Sequence, residues 1–377
     1  MRTPIHITLF FLTLHYAFLL YINSTFLGQF FPEESTGILY TLSSLVAIAA
    51  LAVAPAVINR FRRYSVTLCL LVFTAVSALF LSQAGNPLGV GLLFIGLNAA
   101  VVVLRFLLDV YLRQYSTKKE TGEIRADDLT IQNVAIAVSP FIVGMLLMET
   151  HFDRVYLAAS LLLLPAIAVV FLRFKQIPHE KYDKHNIRAA ASHVWQNRDL
   201  HASLIANFLL EFFYAWMVIY TPIYLHEVIG FDFAEIGAIF SFMLLPFVFF
   251  QIPFGKYADR RGEGELLAVG FFVMALFTGS LVFLHDKNMV AWALLLFMTR
   301  VGAAAVEVMS ESRFFKGIEP KDANLVGIFR AMRPLALLIA PLVGGLVLES
   351  YGQNGIFVAL AFLMLYGARF GMALERA

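Results

Sequence analysis

Residues 233–262 read FAEIGAIFSFMLLPFVFFQIPFGKYADRRG, and this stretch decides the fold. Residues 233–254 carry a single charge, Glu235. They are long enough to cross the ~30 Å hydrocarbon core of a bilayer, which a helix of about 20 apolar residues spans. Residues 255–262 are abruptly polar, with an aspartate, three basic residues and a glycine at each end. The stretch therefore predicts a membrane-spanning helix followed by a short charged connection.

The rest of the chain repeats this pattern. Of its 377 residues, 60% are hydrophobic and 14% are charged, whereas soluble domains average about 45–50% and about 25%. The first apolar run lacks an A-x-A-like cleavage site, so we expect it to be retained as a span. Hydropathy predicts an all-α membrane protein with twelve transmembrane helices, at residues 6–24, 36–58, 64–83, 88–112, 127–148, 155–173, 201–226, 233–254, 264–285, 288–311, 323–349 and 354–373.

One long polar segment divides these spans equally. The predicted domains are a six-helix bundle at 1–173, a linker at 174–200 and a second six-helix bundle at 201–377. The halves also resemble each other, because Ser-Pro-Phe-Ile-Val-Gly at 139–144 matches Ala-Pro-Leu-Val-Gly-Gly at 340–345. Such repeats are typical of secondary transporters, whose solute site lies at the interface of the repeats.

The basic residues predict the orientation of the chain. With the N-terminus in the cytoplasm, cytoplasmic segments hold 22 Lys and Arg residues, and outside loops hold only Arg154 and Lys287. Cytoplasmic loops retain positive charge. We therefore expect an integral protein of the cytoplasmic (inner) membrane with both termini in the cytoplasm.

The eight residues after the quoted span carry a family motif. Gly-Lys-Tyr-Ala-Asp-Arg-Arg-Gly at 255–262 resembles the G-x-x-x-D-R-x-G loop of the major facilitator superfamily. The resemblance implies two pseudo-symmetric bundles, alternating access, and a loop that holds the halves in one conformation. The gating residues it implies are Gly255, Asp259, Arg260 and Gly262.

Each motif residue also has a physical reason. Gly255 permits close helix approach, and Gly262 suits a turn with positive φ. Asp259 can accept hydrogen bonds at a neighbouring helix N-terminus, where the dipole favours an anion. Arg260 or Arg261 can pair with an acidic residue, for which Glu311 is the candidate; the alternative is that both arginines only set topology. The first-half counterpart, residues 55–63, lacks both glycines and the aspartate, which predicts asymmetric gating.

Charges inside the spans are the candidate functional residues, because a charge at the bilayer centre costs at least ~2.5–3.5 kcal/mol. Most lie on helices 1, 4, 7 and 10, which line the central cavity in the resembled family. The predicted solute or proton pathway consists of His15, Arg105, Glu211, Tyr214 and Arg300. The predicted cytoplasmic-side salt-bridge cluster for gating consists of Glu307, Arg330 and Arg333, with Glu311 on the same stripe.

Alternatives remain open for these residues. Arg300 is expected to meet an anionic solute group near mid-membrane, whereas Arg105 either does the same or is neutralised by Asp109 at i+4. Glu211 is either the proton-coupling carboxyl or a static ion-pair partner of Arg330 or Arg333. His15 either relays protons or is a packing residue. Tyr214 lines the cavity or anchors the helix at the outer interface.

Several function classes are excluded by what the sequence lacks. It has no phosphate-binding loop, no H-E-x-x-H and no G-x-S-x-G motif, so we expect neither an enzyme nor ATP-driven transport, and no metal or cofactor. A net charge of +2 argues against nucleic acid as a partner. The predicted function is monomeric secondary transport of a small solute, coupled to H⁺, among membrane lipids. The rivals are an exporter of amphipathic drugs or lipids, and a transporter-like receptor or scaffold without flux.

Overall fold

The computed structural model describes residues 2–20, 22–83, 85–115, 120–146, 152–178, 187–319 and 321–375. In these ranges the chain forms helices and no strand, as the all-α prediction requires. Backbone N–H and C=O groups in lipid must be satisfied within the protein, and a helix does this within one segment.

The described residues of the first half of the sequence form eight α-helices. They are α1 (Arg2–Leu20), α2 (Asn23–Leu27), α3 (Glu33–Phe61), α4 (Arg63–Leu81), α5 (Pro87–Gln114), α6 (Thr121–Leu146), α7 (Phe152–Arg173) and α8 (Ile187–Gln196). Six of them coincide with the predicted spans. The short α8 lies inside the predicted linker, whose residues 179–186 are outside the described part of the chain.

The second half begins with α9 (Arg198–Ile223), which continues as a π-helical turn, Tyr224–Val228. It continues with α10 (Phe233–Met243), α11 (Leu245–Phe249), α12 (Gln251–Arg261), α13 (Gly264–Ser280), α14 (Met289–Lys316) and α15 (Ala323–Glu375). The span predicted at 233–254 is therefore three consecutive helices. Pro246 lies in the first turn of α11, where its missing N–H has no intrahelical partner to lose.

The boundary after residue 254 differs from the sequence prediction, whereas the break near residue 350 agrees with it. The motif at 255–262 is not a loop: residues 255–261 are the C-terminal part of α12, and the helix ends at Gly262, whose φ is +86°. The long α15 is interrupted at Gly352, where φ is +68°. This break falls between the two spans predicted at 323–349 and 354–373.

Ten stretches of the described chain are long and apolar enough to cross a membrane. The described part of α6 is not among them, and both arms of α15 count as one stretch. The number twelve stays a prediction.

The chain divides into two compact units, and each takes a segment from the other sequence half. The first unit consists of Met1–Ser116, Ile131–Ala191 and Pro320–Pro334. The second unit consists of Thr117–Thr130, Ser192–Glu319 and Leu335–Ala377. The start of α6 thus belongs to the second unit, and the start of α15 belongs to the first. The domain boundaries predicted at 174 and 200 stay a prediction.

Helix α14 is central to the second unit, where it packs against α9, α10 and α13. A Cβ atom on Gly302 of α14 would lie 2.5 Å from the carbonyl oxygen of Gly270 on α13. Only glycine permits this backbone contact, so α13 and α14 lie unusually close together. The contact fixes α14 two residues after Arg300.

Candidate functional site

The Asp259 carboxylate caps the N-terminal end of α6. Its Oδ1 accepts a hydrogen bond from the backbone N–H of Gly122 at 2.9 Å, and its Oδ2 accepts one from Glu123 at 2.8 Å. These N–H groups have no intrahelical partner, and the positive end of the helix dipole favours the carboxylate. The predicted hydrogen bonds to a neighbouring helix N-terminus are confirmed, and they join the two sequence halves within the second unit.

Two glycines bring α6 and α12 into backbone contact beside Asp259. A Cβ atom on Gly122 would lie 2.6 Å from the carbonyl oxygen of Gly255. A Cβ atom on Gly255 would lie 2.6 Å from the carbonyl oxygen of Gly122 and 2.5 Å from the Cβ of Ala126. The close approach predicted for Gly255 is confirmed, with Gly122 as a partner that the sequence did not indicate.

A charged network extends from Asp259 to the end of α14. Lys316 lies 2.9 Å from the Asp259 carboxylate and 2.7 Å from that of Glu263. The Ser312 hydroxyl donates to Glu263 at 2.9 Å, and Arg313 pairs with both Glu263 and Asp199. The side chain of Glu263 is only 2% exposed. Sequence analysis missed Glu263, although its position directly after the motif was a usable indication.

Arg260 lies in a cavity of about 430 Å³ within the second unit. The cavity is lined by Glu123, Lys256, Asp259 and Arg260. Glu311, the predicted partner of Arg260 or Arg261, is buried on α14. The pairing of Arg260 or Arg261 with Glu311 stays a prediction.

Arg300 is a buried arginine that lies beside two aromatic rings. It lies eleven residues after the start of α14, or roughly 16 Å along the helix axis. Its side chain is 2% exposed, and its guanidinium carbon lies 5.0 Å from the ring centre of Phe213 and 5.9 Å from that of Tyr214. Its Nη1 atom is buried without a hydrogen-bond partner among the described residues. The cation is thus placed at mid-helix against ring faces.

Tyr214 and Glu211 lie one turn apart on α9. Tyr214 packs against Arg300 and, edge-on, against Phe247. Glu211 is three residues earlier, on the same helix face. Its side chain is half-buried. Its coupling role stays a prediction.

His15 is a fully buried residue of α1. Its Nδ1 lies 2.9 Å from the carbonyl oxygen of Ala159 on α7, so the imidazole joins two helices of the first unit. This is the packing arrangement expected of a single histidine in a membrane helix. The proton-relay role stays a prediction.

Asp109 of α5 binds Arg330 of α15 in a two-point pair within the first unit. Arg330 donates from Nε at 2.5 Å and from Nη2 at 3.0 Å, and Arg105 lies 3.9 Å from the same carboxylate. Asp109 is 1% exposed. The predicted i+4 pairing with Arg105 is present, but the shorter bonds go to Arg330, from the other half of the sequence.

The other members of the predicted gating cluster have further partners that the sequence did not indicate. Gln251 of α12 donates to Glu307 at 2.7 Å in the second unit. Arg333 donates to the Tyr16 hydroxyl at 3.3 Å in the first unit and lies over its ring. The gating roles of Glu307, Arg330 and Arg333 stay predictions.

The first half of the sequence has an arginine, Arg63, at the position that corresponds to Glu263 in the second half. Arg63, 200 residues before Glu263, is buried, and its guanidinium carbon lies 3.8 Å from the ring centre of Tyr111. It also donates to the Gln114 side chain at 2.7 Å. The asymmetry predicted from residues 55–63 therefore includes a reversal of charge at this position.

Comparisons with known proteins support this architecture. A probable L-galactonate transporter of Escherichia coli is 23% identical over 143 residues, which cover 38% of this chain and 31% of that relative. The human organic anion transporter TETRAN superposes with a TM-score of 0.81 at 14% identity, over 98% of each chain. The E. coli fucose:proton symporter gives 0.77 at 13% identity, over 97% of each chain. At these identities, the two structures show the fold alone.

The family model described as Major Facilitator Superfamily matches residues 5–312. This range contains the motif helix α12 with Asp259, and it contains Arg300. The chain is an integral membrane protein, and it belongs to the Major Facilitator Superfamily.

Proposed function

We propose that this protein is a secondary transporter that moves a small organic anion across the cytoplasmic membrane by alternating access, coupled to protons. Membership of the family supports transport over catalysis. The proposal includes a monomer with both termini in the cytoplasm, as the distribution of basic residues predicts.

The burial of Arg300 is the observation from which we infer that the solute is an anion. A guanidinium remains charged at any physiological pH, and a charge at mid-membrane requires an anionic partner or water. The rings of Phe213 and Tyr214 lie on one side of this guanidinium, and its N–H groups form a planar donor edge. A planar carboxylate matches such an edge with two parallel hydrogen bonds. A solute carboxylate is therefore the partner we assign to Arg300.

The matched relative agrees with this solute class. The substrate in its name, L-galactonate, is a sugar acid that carries one carboxylate at neutral pH. Because the match covers less than a third of that relative, L-galactonate is a starting probe, and the solute of this protein is part of the proposal.

We assign proton coupling to Glu211. A carboxyl group within a membrane span can take up and release a proton as its access to water changes. Glu211 lies one turn from Tyr214, which contacts Arg300, so its charge is close enough along α9 to respond to the solute site.

We assign gating to two of the links between the sequence halves, Asp259 with the α6 N-terminus and Asp109 with Arg330. Each involves a carboxylate bound to donors from the other half. Each link holds a segment of one sequence half in the unit formed mainly by the other half. We propose that both links break and re-form during the cycle.

Flux measurements in proteoliposomes test this function. Purified protein is reconstituted with an inward proton gradient, and uptake is measured for a panel of labelled sugar acids, monocarboxylates, dicarboxylates and the matching neutral sugars. We expect uptake of at least one acid, loss of this uptake in Arg300→Gln, and normal uptake in the control Arg369→Gln, an exposed arginine. Transport of amphipathic neutral compounds alone, or absence of any flux, would contradict the proposal and favour the exporter or the receptor.

A further inference from the structure

One cation in the cavity of the second unit takes no part in the charged network around Asp259. Arg260 lines this cavity of about 430 Å³, and its side chain is exposed. The Asp259 carboxylate is bound instead by Lys316 at 2.9 Å and by two backbone N–H groups of α6. Within the described ranges of the chain, Arg260 has no hydrogen-bond or ion-pair partner. Its guanidinium is therefore available to a ligand of the cavity.

Lys256 supplies a second cation on the same wall of the cavity. It lies one turn before Arg260 on α12, so one ligand can contact both side chains. Its ammonium is 3.7 Å from the Glu123 carboxylate, and these side chains are 52% and 47% exposed. Such an exposed pair is weak because water screens it, so it leaves the ammonium able to bind another anion. The two carboxylates of the cavity balance its two cations, so a ligand is selected by the position of the donors and not by net charge.

The face of α12 that carries these cations continues along the helix as an apolar surface. Pro253, Lys256 and Arg260 stand at i, i+3 and i+7, so they share one face, and all three are exposed. Phe249, four residues before Pro253, is 62% exposed. The cations lie in the last two turns of Glu235–Arg261, a stretch that is long and apolar enough to cross a membrane. An exposed apolar surface within such a span is covered by lipid chains, and the two cations lie at its polar end.

A phospholipid matches both parts of this surface. The oxygens of its phosphate group accept charge-assisted hydrogen bonds from Arg260 and Lys256. Its acyl chains run along Pro253 and Phe249, since basic side chains at the end of a span lie at the level of the lipid headgroups. Inorganic phosphate would meet the cations but would leave the apolar face uncovered. The combination favours a phosphate group that is attached to lipid chains.

We infer that Lys256 and Arg260 form a binding site for the phosphate group of a membrane phospholipid, at the end of α12 in the second compact unit. This site goes beyond the proposed function, because it involves neither the solute nor the coupling proton. It gives the cavity a ligand and the Arg260 guanidinium a partner.

Equilibrium binding to the delipidated, full-length protein in detergent tests the site. The probes are fluorescently labelled phosphatidylglycerol, diacylglycerol with the same chains and label, and inorganic phosphate as a competitor. We expect saturable binding of phosphatidylglycerol that Arg260→Gln weakens at least about tenfold, as for loss of a charge-assisted hydrogen bond. Lys256→Gln should weaken it about threefold or more, because Glu123 shares this ammonium. The matched control is Arg261→Gln, the exposed neighbour that does not line the cavity, and its affinity should equal that of the wild type.

Four results would overturn the inference. The first is wild-type affinity for phosphatidylglycerol in Arg260→Gln, and the second is an equal loss in Arg261→Gln, since any surface cation would then suffice. The third is equal affinity for diacylglycerol, which would show that the chains bind without the phosphate. The fourth is displacement of phosphatidylglycerol by an equal concentration of inorganic phosphate, which would show an ion site without lipid specificity. Where Arg260→Gln fails to fold, Lys256→Gln decides: wild-type affinity contradicts the site, and weakened affinity supports it.

Discussion

Gly122 and Gly255 lie backbone to backbone, so that a Cβ atom on either residue would come within 2.6 Å of the carbonyl oxygen of the other. This contact joins the start of α6 to α12 and holds Asp259 against the α6 N-terminus. Residues more than 130 positions apart are thereby joined through backbone atoms alone.

The first prediction concerns this glycine pair. Gly255→Leu should separate α6 from α12, because its Cβ would also lie 2.5 Å from that of Ala126. We expect transport to fall at least about tenfold, with a smaller loss in Gly255→Ala. The control is Gly237→Ala, since a Cβ atom there meets nothing within 4 Å. Equal activity of the Leu variant and the control in the flux assay would show that the contact has no role in the cycle.

The second prediction concerns the charge of Asp259. Asp259→Asn removes the anion that faces the α6 helix dipole and Lys316, while the side chain keeps nearly the same size. We expect the free energy of this link to weaken by roughly 1.5–3 kcal/mol, as for other hydrogen bonds to charged groups. The measurement is hydrogen exchange at Gly122 and Glu123, which should become faster than in the control Asp286→Asn. Unchanged exchange at both amides would contradict the assigned role.

The third prediction concerns the pair of Asp109 and Arg330. Because Asp109 is buried, Asp109→Asn leaves a guanidinium without its carboxylate, and breaking a buried pair costs about 3–5 kcal/mol. The thermal midpoint of the purified protein should therefore drop in Asp109→Asn and in Arg330→Gln. The double variant should be less destabilised than the sum of both. Simple additivity of the two losses would indicate that the residues do not act as a pair.

The fourth prediction concerns proton coupling by Glu211. Glu211→Gln resembles the protonated carboxyl permanently, so the variant cannot release a proton. In proteoliposomes it should lose accumulation driven by a proton gradient while it retains counterflow of the solute. Glu227→Gln, an exposed glutamate near the end of the same helix, should behave as wild type. Normal accumulation in Glu211→Gln would exclude this residue as the coupling group.

The helices were predictable because lipid imposes a simple requirement. An apolar run of about 20 residues must be helical in a bilayer, and α3, α5 and α14 follow from this alone. The extension of α12 through Arg261 was not predicted, because polar residues after 254 suggested a loop. The helix continues until Gly262, the first residue that favours a positive φ.

The pairing of the charged residues was the part that sequence could not provide. Spacing within one helix predicted the contact of Arg105 with Asp109, since i and i+4 share a face. The stronger bond of Asp109 to Arg330 depends on the start of α15 belonging to the first unit, which no periodicity indicates. By contrast, the hydrogen bonds of Asp259 followed from a general rule, the attraction of an anion to a helix N-terminus.

The most direct test of the central claim compares two ligands that differ in one charge. The affinity of wild-type protein and of Arg300→Gln is measured for the acid that the wild type transports and for its neutral sugar. We predict that the wild type prefers the acid, and that Arg300→Gln loses this preference at a cost of about tenfold or more in acid affinity. An equal preference for the acid in both proteins would contradict the claim that the buried guanidinium binds the solute anion.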